Sequence, residues 1–297
     1  MKVTQVRLNA AAKINLTLDI TGVRQDGYHL LESVMQTISI YDTIDIKATD
    51  SGKIDLKINV PFIPFDSRNT CYKAVQAFFE ASGKEISGVE ICIHKSIPSS
   101  AGLGGGSADA AAVLRGLEYI YGKCPVNLYD LAAGIGADVP FCLAGGTKLC
   151  SGIGEIMSPV YTAPYKSNSI HLVVAKNARG LSTPQIFSLY DSFDRTKLIH
   201  PDSNKLISAL ERGNPEEIAQ NIGNVLEQVS VTKRPEIADL IQAIKNHGAL
   251  NAIMTGSGAA VFGIFDNYKK ARQCVFSLCQ KGVYAEYANF VSTPTVQ

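Results

Sequence analysis

From Pro98 onward the chain reads Pro98-Ser99-Ser100-Ala101-Gly102-Leu103-Gly104-Gly105-Gly106-Ser107-Ala108-Asp109, followed by three alanines. Four glycines fall within five residues. Such a backbone can take positive φ and bring bare N–H groups close to a ligand. Ala110, Val113, Leu114, Leu117 and Tyr121 then recur with helical spacing. Ser107 stands where a hydroxyl could cap that helix, and Gly122 where the helix could stop. A glycine loop feeding a helix N-terminus aims free N–H groups and the positive end of the helix dipole at one spot, which suits a phosphate. No lysine follows the glycines, so the stretch is not a P-loop. Ser107 occupies the place of the third glycine in a dinucleotide fingerprint, and the D-F-G and H-R-D motifs of protein kinases are absent. A tight turn packing a helix on a sheet needs one or two glycines. Four, preceded by proline, favour phosphate binding.

Other polar positions stand against an apolar background. Ile14, Leu16, Leu18 and Ile20 alternate cleanly, which puts Lys13 and Asn15 on one strand face. Asp138, in Gly136-Ala137-Asp138-Val139-Pro140, sits on a turn before a residue that proline pushes toward extended geometry. A turn aspartate capping its own backbone is the plain alternative there. Tyr28-His29 follows the Asp26-Gly27 turn and could be an ordinary half-buried turn. Lys95 ends a strand-like run leading into the glycine loop. A positive charge there suits a triphosphate, and a sheet-end lysine is also common. Ser257 is not a hydrolase nucleophile, because Thr255 replaces the first glycine of that elbow.

The loop P-x-x-x-G-L-G-G-G-S-A resembles the phosphate loop of the galactokinase–homoserine kinase–mevalonate kinase–phosphomevalonate kinase (GHMP) superfamily. Ala12-Lys13-Ile14-Asn15, the run from Thr21 to Leu30, Gly136–Pro140 and Thr255–Ala260 are similar to that superfamily too, so the resemblance covers about residues 6–288. The segment from Ala12 to Ser33 is similar to one branch, the ATP-dependent kinases that phosphorylate the 2-hydroxyl of a cytidine-diphosphate-linked methylerythritol in the non-mevalonate isoprenoid pathway. The resemblance implies that Pro98, Ser99, Ser100, Ala101, Gly102, Leu103, Gly104, Gly105, Gly106, Ser107 and Ala108 wrap the phosphates of ATP, with Lys95 near the nucleotide. It implies Asp138 as catalytic base, with Lys13 neutralising and orienting it and contacting the phosphoryl group. Asn15 would hydrogen-bond the acceptor, Tyr28 would stack on the cytosine, and His29 would bond its edge. Mg²⁺ is expected with ATP, although no D-x-D pair stands near the loop and the five histidines lack ligand spacing. Ser99-Ser100 replaces smaller residues of the commonest pattern, and Thr255 replaces a serine. Homoserine or mevalonate kinase is the nearer alternative. A dinucleotide-dependent oxidoreductase and a non-catalytic phosphate-binding module belong to other classes.

These residues need a scaffold, and the remaining periodicities supply one. Strands are expected over 3–20 and 33–60, with turns at Tyr41-Asp42 and Asp50-Ser51-Gly52, then a helix over 69–81, a strand over 89–95 and a short helix over 126–133. The polar stretch 159–169 is the candidate boundary. Beyond it come a strand over 170–175, a helix capped by Ser182 or Thr183, helices over 203–212, 215–228 and 235–246, strands over 251–254 and 261–265, a helix over 268–280 and a strand over 283–291. The expected fold is α+β in two domains of the GHMP-kinase type. Residues 1–160 form a mixed α/β domain with the glycine-rich loop, and 161–297 an α+β ferredoxin-like domain. Of the 297 residues 46 % are hydrophobic and 19 % charged, with net charge +1. That excludes disorder and gives no reason to expect a nucleic-acid partner. Seven scattered cysteines without C-x-x-C suit a reducing compartment. With no apolar leader and no window of 18 apolar residues, the expectation is a cytoplasmic protein with a small-molecule substrate, no membrane association and no obligate protein partner evident.

Overall fold

The alternation read over the first 60 residues folds in the computed structural model, which describes residues 3–162, 170–177, 180 and 182–292, as β1 (Gln5–Asn15), β2 (Thr17–Val23), β3 (His29–Ala48) and β4 (Ile54–Ile58). The turn expected at Tyr41-Asp42 is absent, and β3 runs unbroken for 20 residues. Asp42 is tolerated inside it because its Oδ1 accepts the N–H groups of Ser96 at 2.6 Å and Ile97 at 2.8 Å. Buried carboxylates persist where donors satisfy them. β3 pairs antiparallel with β1, β2, β5 (Val89–His94) and β6 (Thr147–Gly152). β4 adds in parallel to β5, and β7 (Ile156–Pro159) antiparallel to β6.

Helix α1 (Thr70–Ser82) starts where Asn69 caps it, its Oδ1 accepting from Cys71 N–H at 2.8 Å, and ends at Gly83 with φ +61°. Helix α2 (Gly105–Tyr121), then α3 (Leu128–Ile135) and α4 (Val139–Ala144), follow. Phe78 of α1 and Val113 and Leu117 of α2 join Leu8, Ile44 and Ile46 of the strands in one core. Burial of that apolar face, more than helix propensity, holds the helices in place.

The rest of the chain supplies β8 (His171–Lys176), α5 (Thr183–Asp191), α6 (Ser203–Arg212), α7 (Pro215–Asn221), β9 (Gly223–Asn224), α8 (Val225–Lys233), α9 (Glu236–Asn246), β10 (Asn251–Met254), β11 (Val261–Phe265), α10 (Tyr268–Gln280) and β12 (Tyr284–Ala288). Four strands make an antiparallel sheet in the order β10-β11-β8-β12. With the helices pooled, the run is β-α-β-β-α-β, the ferredoxin-like arrangement. The helix expected over 215–228 is interrupted, because Gly223 and Asn224 pair in parallel with Thr17 and Leu18 of β2 and so extend the first sheet. Asn224 then caps α8, accepting from Leu226 N–H at 3.0 Å. Part of the expected boundary, 163–169, lies outside the described residues. Among the described residues no helix is long and apolar enough to cross a membrane.

Candidate active site

Lys13 is aimed by an irregularity. The β1–β3 register shifts between Ala11 and Lys13, and the Lys13 N–H donates instead to the carbonyl of Leu103 in the glycine loop at 3.0 Å. A bulge of this kind re-aims a side chain. The Lys13 ammonium, 4 % exposed, donates to Asn15 Oδ1 at 2.9 Å and pairs with Asp138 Oδ2 at 3.2 Å. Asn15 is fixed in turn by donating through Nδ2 to Ser33 Oγ at 2.8 Å, while its backbone N–H donates to Thr255 Oγ1 at 2.9 Å. Strand alternation therefore delivers Lys13 and Asn15 to one place, as their spacing predicts.

Asp138 sits at the entry of α4, yet its carboxylate caps nothing. The self-capping alternative is thus not what the side chain does. Val139 is not extended either. It opens the helix, and Pro140 is accommodated in the first turn, where its missing N–H has no intrahelical role. The Asp138 side chain stays 32 % exposed while Lys13 is buried, so the carboxylate meets both the ammonium and the open cavity. Cys142 and Cys150 lie buried nearby. Burial pushes both thiols up, with Asp138 adding to the effect, Cys150 to about 12, and neither is a nucleophile near neutral pH.

The glycine loop reaches α2 without the expected serine cap. Gly104, at φ +68°, is the cap residue, and Ser107 lies within the first turn. The first intrahelical bond runs from Ala108 N–H to Gly104 carbonyl at 2.8 Å, which leaves the N–H groups of Gly105, Gly106 and Ser107 ahead of the ladder. Side chains have no room here. A Cβ on Gly102 would stand 2.2 Å from the Thr255 carbonyl oxygen, and one on Gly104 2.9 Å from Lys13 Cγ. The Ala260 N–H also donates to the Ala101 carbonyl at 3.1 Å, so the second glycine turn leans on the first. Lys176 donates to the Ser99 carbonyl at 2.6 Å.

A cavity of about 390 Å³ lies under the loop and is lined by Pro98 through Ser107 together with Thr70, Lys95 and Asp109. Ala108 is buried behind it. Lys95 lines this cavity but offers no free charge, being ion-paired with Asp42 and Asp109. Burial works against its charge, and the two carboxylates outweigh burial and raise its pKa. A second cavity, of about 430 Å³, holds Lys13, Asn15 and Asp138 and is closed by Pro184, Phe187 and Gly256. Ser100, Gly102 and Gly104 line both, so Asp138 and Lys13 stand beside the seam.

Tyr28 and His29 are placed differently from the rest. His29 does not line the second cavity, but its ring lies 4.7 Å from that of Phe187, which does. Its Nε2 is 2.9 Å from Asp191 Oδ1. Tyr28 is 60 % exposed on its turn, under the Arg24 guanidinium. Phe187 and Asp191 on α5 escaped the sequence reading, since one apolar and one acidic residue in a surface helix carry no signal. The α5 cap residue is Ser182, whose hydroxyl makes no cap bond, and the Thr183 hydroxyl bonds Ser257 Oγ at 2.8 Å instead. Asp42 and Asp109 were also missed, although each interrupts an otherwise apolar pattern.

The geometry is that of a known group of enzymes. The GHMP kinases N terminal domain family matches residues 69–146, and the GHMP kinases C terminal family matches residues 206–283. The 4-diphosphocytidyl-2-C-methyl-D-erythritol kinase of Clostridium botulinum is 43 % identical over 281 residues, covering 94 % of this chain and 97 % of the relative. That of Caldicellulosiruptor saccharolyticus is 45 % identical over 263 residues, 88 % of each chain. A crystal structure of 4-(cytidine 5'-diphospho)-2C-methyl-D-erythritol kinase superposes with TM-score 0.79 at 31 % identity, over 95 % of this chain and 99 % of that one. Homoserine kinase from Cytophaga hutchinsonii, at 15 % identity and TM-score 0.74, shares the fold over 99 % of this chain and 98 % of its own. The chain is therefore an ATP-dependent kinase that belongs to the GHMP kinases and, within them, to the 4-diphosphocytidyl-2-C-methyl-D-erythritol kinase family.

Proposed function

We propose that this enzyme transfers the γ-phosphoryl group of Mg-ATP to the 2-hydroxyl of 4-diphosphocytidyl-2-C-methyl-D-erythritol, in non-mevalonate isoprenoid precursor biosynthesis. The observation that carries this is the Lys13–Asp138 pair at the seam of two cavities, 3.2 Å apart. The loop cavity takes the triphosphate, with backbone N–H groups of the glycine loop and α2 as donors and Lys95 behind them. The second cavity takes the acceptor. The hydroxyl oxygen attacks γ-phosphorus, its proton passes to Asp138, and the bond to the bridging oxygen breaks to release ADP. A carboxylate is too weak a base to strip an alcohol beforehand. It acts as the O–P bond forms, and such help is worth roughly 10²–10⁴-fold. Lys13 neutralises charge gathering on the transferred group, and phosphoryl transfer depends chiefly on that alignment and neutralisation. Asn15 orients the hydroxyl. His29 bonds the edge of the cytosine and Tyr28 stacks on it, with Phe187 offering a second aromatic face.

Among the described residues no group of three or more His, Cys, Asp or Glu could hold a metal ion. Mg²⁺ would come with the nucleotide and would offset charge on its phosphates. All seven cysteines are free, which suits work in the cytoplasm, and the proposal needs no nucleic acid, membrane or obligate protein partner. The division between the two domains is placed at residues 160 and 161. The test is ADP release with 4-diphosphocytidyl-2-C-methyl-D-erythritol, homoserine or mevalonate as acceptor. Turnover with the cytidine compound alone is the expected result, and turnover with either of the others would overturn the substrate assignment.

A further inference from the structure

Behind the glycine loop lies an imbalance of charge. The Lys95 ammonium is ion-paired with Asp42 Oδ2 and, at 2.6 Å, with Asp109 Oδ2, and none of the three side chains is more than 5 % exposed. One ammonium against two ionised carboxylates would leave a buried negative charge uncompensated, which is strongly unfavourable. The two acids are not equivalent. Asp42 accepts from Lys95 and from the N–H groups of Ser96 and Ile97. Asp109 accepts from Lys95, and its buried Oδ1 has no hydrogen-bond partner. A Cβ on Gly105 would lie 3.2 Å from Lys95 Nζ, so the cluster sits directly beneath the first residue of α2, which lines the loop cavity. Lys95 and Asp109 themselves line the cavity.

We propose that the Asp42–Lys95–Asp109 cluster stores one proton on Asp109 and that this proton is linked to nucleotide binding, the neutral cluster admitting an anionic phosphate and the deprotonated cluster repelling it. The inference rests on the reading of the loop cavity as the nucleotide site. Burial pushes the Asp109 carboxyl up to about 8, with Lys95 opposing the shift and Asp42 adding to it. The other ionisable groups on the elements packed around α2 do not replace it. Cys71 of α1 and Cys142 of α4 are pushed up by burial and stay neutral thiols. Lys13 of β1 is paired with Asp138. Tyr129 and Asp130 of α3 are exposed, as is Arg68 before α1. Arg115, two turns along α2, donates to the Leu143 carbonyl. Below about pH 8 the cluster is therefore neutral, and as pH rises it gains a negative charge beside the phosphate site. By linkage, a bound anion must in turn favour the protonated form.

The test is calorimetric titration of the intact enzyme with Mg-ADP from pH 6.5 to 9, in two buffers of different ionisation enthalpy. Mg-ADP is chosen because its phosphates carry constant charge above pH 7. Binding is expected to take up a fraction of a proton near pH 8, and Kd to weaken about tenfold between pH 7 and 9. In Asp109→Asn, which mimics the neutral acid in shape, both effects should vanish. Wild-type binding without proton uptake overturns the proposal and leaves the nucleotide reading intact, whatever the variant does. Undiminished uptake in Asp109→Asn assigns the proton elsewhere and overturns it as well. No binding of Mg-ADP at any pH overturns the nucleotide reading itself.

Discussion

Lys13 and Lys95 are both nearly withdrawn from solvent and both touch the glycine loop, but they keep different company. Lys13 has one ionic partner, Asp138, whose carboxylate remains a third exposed. Lys95 has two, Asp42 and Asp109, and both are closed off. The first pair is balanced in charge and open to the second cavity. The second sets two carboxyl groups against one ammonium, is sealed, and is tied to the backbone through Asp42. Two lysines that look alike on paper thus divide the work. In the proposed reaction one serves the reacting atoms, and the other holds the base of the loop.

The sharpest way to break this contrast is at Asp138. Asp138→Asn and Lys13→Met should each lower kcat by roughly 10²–10⁴-fold, with melting temperature little changed, because the exposed Asp138 carboxylate can be solvated once Lys13 is lost, and Asp138→Asn keeps an amide oxygen that accepts from Lys13 beside Asn15. Lys95→Met should behave in the opposite way. It removes the one cation facing the buried Asp42 carboxylate, for which a loss of about 3–5 kcal/mol of stability is expected, readable by urea unfolding. A Lys95→Met protein as stable as wild type would remove the distinction. Phe187→Ala or Tyr28→Ala should raise the acceptor KM alone, by an amount equivalent to about 1–3 kcal/mol for loss of a stacked base, while the KM for ATP stays put. The effect that depends on pH concerns Asp109. Its folded-state pKa is raised, so between its ordinary value of 3.8 and about 8 the native chain holds a proton that the unfolded chain has released. Stability contributed by this group therefore falls as pH rises through that window and levels off above it. Asp109→Asn should gain on wild type over the same window, by up to about 1.4 kcal/mol per pH unit, as unfolding midpoints across pH 5–8 would show.

Much of the site could be read from residue order because strands and helices have short periods. Alternation alone put Lys13 and Asn15 on one face, and the glycine run announced a helix N-terminus open to an anion. What residue order hid was non-local. The β1 irregularity that turns Lys13 toward Leu103 depends on pairing with β3. Asp42 reads as a turn residue until Ser96 and Ile97 are seen to donate to it. Ser107 looks like a cap because serines so often are, yet Gly104 in the left-handed region takes that place. The break at Gly223-Asn224 is invisible without β2 beside it. Phe187 acquires meaning only through its contact with His29 and its place in the wall of the second cavity.

The most direct measurement is the turnover number of Asp138→Asn with 4-diphosphocytidyl-2-C-methyl-D-erythritol at saturating Mg-ATP, taken with its melting temperature. A folded variant whose kcat has dropped by roughly 100-fold or more is the predicted result. A folded variant turning over within a few-fold of wild type would contradict the assignment of Asp138 as base and, with it, the division of labour between the two lysines.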